Sequence, residues 1–498
     1  MQLLKKFFNE NKVVLISIFA FTILCFGYYG VSTIVNNDGV LDFIIDSTTN
    51  AGYKLYLSVG RWGWALIGMI FNYYPLPFLY LIINAIFFSL STVYISRIFD
   101  IKKDYQKIIV GALLVSNPIN AYAYAYSNWQ ASIGIAFFLA IYGVYLLKNA
   151  KGWSSYLISI LIFTFTISIY QMFLPFLAIL FSFISIQALI ENKNLNLFIK
   201  TVLKYLLIFV LSCILYYLTV EFTTFVFKID LSYYQGANKM FDFSFIDFIR
   251  KFKTNFISSF TFNDLYFFPK FSHIILIILV IINFIVLIRS VKDTKKLMMF
   301  VLLLILMIAP QIIRFVKYDQ WFHEVTLIPY VIFYAGNVAL LYKNLNNKKL
   351  EKIITTLLII VLFSFVISIN KAGVMAKNAS NAAYYFANRL QMRIESTDGY
   401  NLLSNPKKYY FIGGYDLYDF PYSDRAYSPS TGITTNFVFN PLNMVDAINV
   451  MGIDAIYYNN LADLDTKYEI NKRAKDIKAY PDSSSIFIYE DIIVIKMK

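Results

Sequence analysis

Two cysteines, two histidines and a charged share of only 15% are the scarcities that shape this 498-residue sequence. Cys25 and Cys213 both fall inside apolar runs, so neither a disulfide framework nor a thiolate metal site is expected. His273 and His323 stand far apart, and no Cys/His cluster has zinc spacing. No glycine-rich loop leads into the Lys-Ser/Thr pair that cradles nucleotide phosphates, which argues against ATP as an energy source. No Ser/His/Asp arrangement can be argued, and there are no repeats or low-complexity tracts. A soluble domain carries about a quarter charged residues, well above the share here.

What the chain has instead is apolar and aromatic side chains, at 58% and 19%. That is the composition of a polytopic membrane protein. A net charge of +14 would point to nucleic acid in a soluble protein. Here the lysines cluster in short loops between apolar runs, so membrane lipid is the expected partner and nucleic acid is not. A spanning helix needs about 20 apolar residues. About eleven segments qualify: 13–35, 76–97, 108–126, 131–147, 154–171, 172–190, 201–226, 273–290, 297–316, 325–342 and 353–370. The fifth and sixth join at Tyr170-Gln171-Met172 as a tight helical hairpin. The basic start, without a small-residue cleavage site after it, reads as an uncleaved first helix.

Alternate loops hold Lys5, Lys6 and Lys12; Arg97, Lys102, Lys103 and Lys107; Lys148 and Lys151; Lys193 and Lys200; Arg289, Lys292, Lys295 and Lys296; Lys343, Lys348, Lys349 and Lys352. The positive-inside rule makes these loops cytoplasmic. The N-terminus is then inside, and an odd number of spans puts the C-terminus outside. Residues 371–498 change character, with ordinary polarity, turn signals and no spanning segment. Residues 376–395 read as a helix, and Lys408–Gly413, Ile453–Tyr458 and Ile486–Lys496 as strands, the last a hairpin turning at Glu490-Asp491. The expected fold is an all-α polytopic membrane domain (1–370) followed by a small C-terminal α/β extracytoplasmic domain (371–498).

Polar side chains gather where the chain leaves the membrane on the outward side. Asp38, Asp42 and Asp46 are spaced four apart, one face of a helix if that stretch is helical. Like charges at that spacing repel, so they need cations, a metal or open water; the wet face of an interfacial helix is the alternative reading. Asp38, nearest the membrane exit and beside Gly39, is the candidate catalytic base. Arg61, between Gly60 and Trp62, reads either as part of an aromatic belt or as a guanidinium gripping phosphate. Arg314 and Lys317, three apart at the end of a span, read either as snorkelling cations or as a headgroup-depth phosphate site. Tyr170, Gln171, Trp321 and His323 are candidate sugar or acceptor contacts, with helix packing and interfacial anchoring as the alternatives. Residues 228–272 form a loop too long for a plain connection. Tyr122, Tyr124 and Tyr126 read as packing or belt residues. Outward acids with outward cations suggest a lipid-phosphate-sugar donor attacked by an acceptor hydroxyl. An Asp would take the proton, and Arg and Lys would stabilise the departing phosphate.

The order of these features resembles a known family. A basic N-terminus, Asn37-Asp38, Ser58-x-Gly60-Arg61-Trp62, Asn117-Pro118, the Ser168-Ile169-Tyr170-Gln171 hairpin and a soluble outward tail look like the bacterial O-antigen-modifying glucosyltransferases of the Gtr type (glucosyl transferase family II). The resemblance covers most of residues 1–345, and such proteins are similar in architecture to GT-C glycosyltransferases. It implies an undecaprenyl-phosphate-glucose donor, a polysaccharide acceptor such as O-antigen, inversion at the anomeric carbon and an active site outside the bacterial cytoplasmic membrane. By motif position Asp38 is the base, and Arg61 binds donor phosphate. Many relatives of that type carry two adjacent acids; Asn37 here leaves one, which argues against a metal-bridged pair and makes Asp42 a candidate substitute. No cofactor is implied, and nothing in the sequence supports a divalent metal. A flippase or transporter for lipid-linked glycans would place charges inside its spans and often show repeats, which this chain does not. A glycan polymerase or ligase in the same compartment is the other alternative.

Overall fold

The computed structural model describes residues 2–32, 51–71, 73–74, 76–124, 130–191, 194–232, 246, 268–312, 324–403, 405–414, 444–445, 448–449 and 451–498. These fall into two compact units, the first comprising Met1–Val31, Asn50–Tyr124 and Trp129–Lys371, the second including Ala372–Lys498.

The helices of the first unit are α1 (Gln2–Val31), α2 (Ala51–Ser58), α3 (Trp62–Ile70), α4 (Pro77–Ile98), α5 (Asp104–Ser116), α6 (Ile119–Tyr124), α7 (Gln130–Lys148), α8 (Trp153–Ile169), α9 (Phe173–Glu191), α10 (Leu195–Phe227), α11 (Lys270–Arg289), α12 (Asp293–Ile308), α13 (Pro329–Asn344) and α14 (Lys348–Glu395), which continues into the second unit. Among the described residues eight helices are long and apolar enough to cross a membrane, lying in α1, α4, α7, α9, α10, α11, α13 with the turn before it, and α14. Three of the eleven apolar segments form shorter helices, α5, α8 and α12. Proline explains two of them. Pro118 forces Asn117 out of helical geometry, to φ −61 and ψ 124, and ends α5. The Asn117 side chain accepts from the Ile119 amide at 3.1 Å, and Asn120 Nδ2 donates to the Leu114 and Val115 carbonyls at 2.9 and 2.8 Å, so the broken end is satisfied. Pro310 likewise falls where α12 passes into a 3₁₀ turn at Ala309–Gln311. α4 and α13 begin on Pro77 and Pro329, where the missing amide costs nothing.

The chain runs up and down between two ends. One end carries the lysine-rich loops. There Lys343 Nζ bridges Asp100 at 3.1 Å and Glu191 at 2.7 Å, and Lys148 Nζ donates to the Ile98 carbonyl at 2.5 Å. Lys103 meets Glu351 at 2.7 Å, joined by Gln106 Nε2 at 2.8 Å and the Tyr105 hydroxyl. Lys295 Nζ reaches the Leu189 carbonyl at 3.0 Å. Between the ends, described neutral amides bond across helices: Asn84 Nδ2 donates to the Gln130 carbonyl at 2.6 Å, and Asn283 Nδ2 donates to Asn337 Oδ1 at 2.8 Å. Such interhelical bonds contribute roughly 0.6–2 kcal/mol each in a membrane bundle. Tyr122 and Tyr124 are buried, the latter stacked on Phe26 at 3.8 Å, so both pack rather than face lipid.

α14 is one helix of 48 residues where the sequence reads as a span to 370 and a separate helix from 376. The polarity change near Lys371 marks an exit from apolar surroundings, but no proline follows to end the helix.

In the second unit a four-stranded sheet is formed by β1 (Lys407–Ile412), β2 (Ala455–Tyr457), β3 (Ile486–Tyr489) and β4 (Ile492–Lys496), in the order β2-β1-β4-β3. β1 pairs parallel with β2 and β4, while β3 and β4 form an antiparallel hairpin. The hairpin turns at Glu490, at φ 55, and Asp491, as the sequence suggests. Both faces are covered, as parallel strands require. Phe386, Leu390 and Ile394 pack with Tyr409, Phe411 and Ile493 on one side. Ile470 and Ala474 of α15 (Leu464–Ala474) pack with Tyr410, Ile492 and Val494 on the other.

Candidate functional site

Of the residues singled out from the sequence, Arg61, Tyr170 and Gln171 are described, and the fold brings them together. Asp38, Asp42, Asp46, Arg314, Lys317, Trp321 and His323 lie outside the described residues.

The site is built on the turn Val59-Gly60-Arg61 between the short helices α2 and α3. Gly60 has φ +76, and a Cβ there would stand 2.9 Å from the Tyr216 hydroxyl, so both conformation and space demand glycine. α3 lies against the end of α8: a Cβ on Gly63 would meet Ser168 Oγ at 2.2 Å and the Ile169 amide nitrogen at 3.1 Å. The α8–α9 tip then presents Tyr170 and Gln171 to the turn. Gln171 Oε1 accepts from Arg61 Nε at 3.3 Å, and its Nε2 donates to the Val59 carbonyl at 2.6 Å and to the Tyr216 hydroxyl at 3.1 Å. The Arg61 guanidinium lies 4.6 Å from the centre of the Tyr170 ring, a cation–π contact. Gln171 thus spends both ends of its amide on the turn.

α10 closes the other side. The Tyr216 hydroxyl donates to the Gly60 carbonyl at 3.1 Å, and Trp62 Nε1 donates to Thr219 Oγ1 at 3.0 Å. Trp64 is only 2% exposed, packed on Tyr56 and Tyr73, so it does not serve as a lipid-facing belt residue. The opposite face of α3, with Leu66, Met69 and Ile70, is exposed. Sequence reading passes over Tyr216 and Thr219. The signal is present as Ser212, Tyr216, Thr219 and Thr223, a polar stripe at helical spacing on an otherwise apolar span.

A half-buried guanidinium with a neutral amide and a phenol ring among its partners, at the N-terminal end of α3, favours an anion electrostatically. Its planar fork suits a phosphate better than a carboxylate-free sugar ring. The site lies at the bundle end opposite the lysine-rich loops, because α8 and α9 join there while Trp153 and Glu191 stand at the other end. Among the described residues no group of three or more His, Cys, Asp or Glu side chains is placed to hold a metal ion.

A family model described as "Glucosyl transferase GtrII" matches residues 31–336. No curated protein and no solved structure matches the chain. The matched stretch is more than half of the chain, runs from the end of α1 into α13, and contains the whole Arg61 site; the chain belongs to the glucosyl transferase GtrII family.

Proposed function

We propose that this membrane glucosyltransferase moves glucose from a polyprenyl-phosphate carrier, undecaprenyl phosphate in a bacterium, to a surface polysaccharide such as O-antigen. The reaction takes place on the outer side of the cytoplasmic membrane, with the N-terminus inside and the C-terminus outside. The acceptor hydroxyl attacks the anomeric carbon. The new glycosidic bond forms as the bond from that carbon to the phosphate oxygen breaks, with inversion. Asp38 takes the hydroxyl proton, with Asp42 as a second candidate base, and the carrier phosphate leaves with the bonding electrons. Arg61 stabilises the charge on that phosphate, joined by Arg314 and Lys317. Asp46, Tyr170, Trp321 and His323 contact the sugar or the acceptor. Gln171, with its amide committed to the turn, holds Arg61.

The observation that carries this reading is the position of Arg61. It sits on the turn opposite the lysine-rich loops, at the end that the positive-inside rule assigns to the outer surface. The described interior of the bundle adds support, since the polar contacts between its helices include the neutral amides of Asn84, Asn283 and Asn337 rather than the charges of a transport path. Asp38→Asn tests the chemistry. The modified glycan, followed by mass spectrometry of the cell surface, should disappear while the protein accumulates normally. Wild-type levels of modification would remove Asp38 as the base. The mass of one added hexose also separates this reading from a polymerase, whose product grows by whole repeat units.

A further inference from the structure

We infer that Tyr216 is a positioning residue for the reaction: through Gln171 and the Gly60 carbonyl it sets the Arg61 guanidinium to receive the donor phosphate. The inference rests on the phosphate role of Arg61 proposed above. Three separate elements converge on one residue. The α8–α9 tip supplies Gln171, α10 supplies Tyr216, and the α2–α3 turn supplies Arg61 with the two carbonyls before it. The Tyr216 hydroxyl accepts from Gln171 Nε2 at 3.1 Å and donates to the Gly60 carbonyl at 3.1 Å. With its second proton Gln171 holds the Val59 carbonyl at 2.6 Å, so its amide cannot turn over without losing two bonds. Its oxygen is therefore fixed toward Arg61 Nε at 3.3 Å, and that bond sets the plane of the guanidinium over the Tyr170 ring.

Both Gln171 and Tyr216 are neutral. They orient the cation without cancelling its charge, which a carboxylate in either place would do. The glycine at 60 belongs to the same device, since any side chain there would push the Tyr216 hydroxyl off the carbonyl.

The test uses the purified full-length chain in lipid nanodiscs, with undecaprenyl phosphate as the probe and undecaprenol as the phosphate-free control. Binding is followed by tryptophan fluorescence. Arg61→Ala should weaken binding of the phosphate about tenfold or more, and Tyr216→Phe about fivefold, with undecaprenol affinity unchanged in both. The double variant should bind no more weakly than Arg61→Ala alone, because Tyr216 acts only through Arg61. Additive losses, or equal weakening of both lipids by Tyr216→Phe, would show a merely structural contact and overturn the inference. Wild-type phosphate affinity in Tyr216→Phe beside a weakened Arg61→Ala would overturn it alone. Wild-type affinity in Arg61→Ala would remove the phosphate role of Arg61 and this inference with it. Should Tyr216→Phe fail to accumulate, Gln171→Met replaces it, keeping the side chain's length and removing both hydrogen-bonding ends, with the same pattern expected.

Discussion

At the lysine-rich end of the first unit, helices are joined by full charges: Lys343 between Asp100 and Glu191, Lys148 at 3.7 Å from Asp100, Lys103 on Glu351. At the other end Arg61 meets the Gln171 amide and the Tyr170 ring, both neutral. Every ion pair between described residues of the first unit lies at the lysine-rich end. The contrast separates two uses of a positive side chain. Paired with carboxylates, a lysine ties loops together and its field is spent. An amide and a phenol ring orient an arginine without cancelling its field.

Moving the chemistry of one end to the other is the most drastic way to break the contrast. Gln171→Glu would place a carboxylate on Arg61 and lose the amide bonds to Val59 and Tyr216. Glucosyl transfer should fall about 100-fold, the size of losing a charge-stabilising donor, in a protein that still accumulates. Removing the bridge at the other end should do the converse. Lys343→Met leaves Asp100 and Glu191 without their shared cation. Because these groups are partly in water, the loss should be about 1 kcal/mol, read as a lower thermal midpoint with activity per folded molecule unchanged. A smaller effect sharpens the comparison through pH. Burial pushes the Asp100 carboxyl up, but the Lys343 hydrogen bond and the charges of Lys148, Lys343 and Lys102 outweigh it and hold the group below its ordinary value. A depressed carboxylate contributes stability that is present above its unfolded pKa, about 3.9, and is lost as pH falls through the folded one. Acidifying from about pH 5 to about pH 3 should therefore lower the wild-type thermal midpoint more than that of Asp100→Asn. An equal fall in both would show that Asp100 is not part of the linkage.

Much of this architecture is legible in the sequence because it is written in strong local signals. Lysine loops mark one end, Tyr170-Gln171-Met172 marks a tip, and alternating Ile and Val before Glu490-Asp491 mark a hairpin. The membership suggested by Asn117-Pro118, Gly60-Arg61-Trp62 and Tyr170-Gln171 agrees with the family matched over 31–336. Hydropathy misleads where backbone chemistry decides. It carries a span through Pro118 and Pro310, where helices end, and it divides α14 at a polarity change the backbone ignores. Tyr216 escapes for another reason. A single hydroxyl on an apolar span has no meaning until the turn it meets, 156 residues earlier in the chain, is in place.

The amide of Ser232 donates to the Ser58 carbonyl at 2.8 Å. Residues 228–232, past the end of α10, are thereby tied back to the chain three residues before Arg61. A trans backbone covers at most about 3.6 Å per residue. Three such steps separate Ser58 from Arg61, so residues 228–232 cannot drift far from that turn while the bond holds, and Ser232→Pro, which removes the amide, is the way to release them.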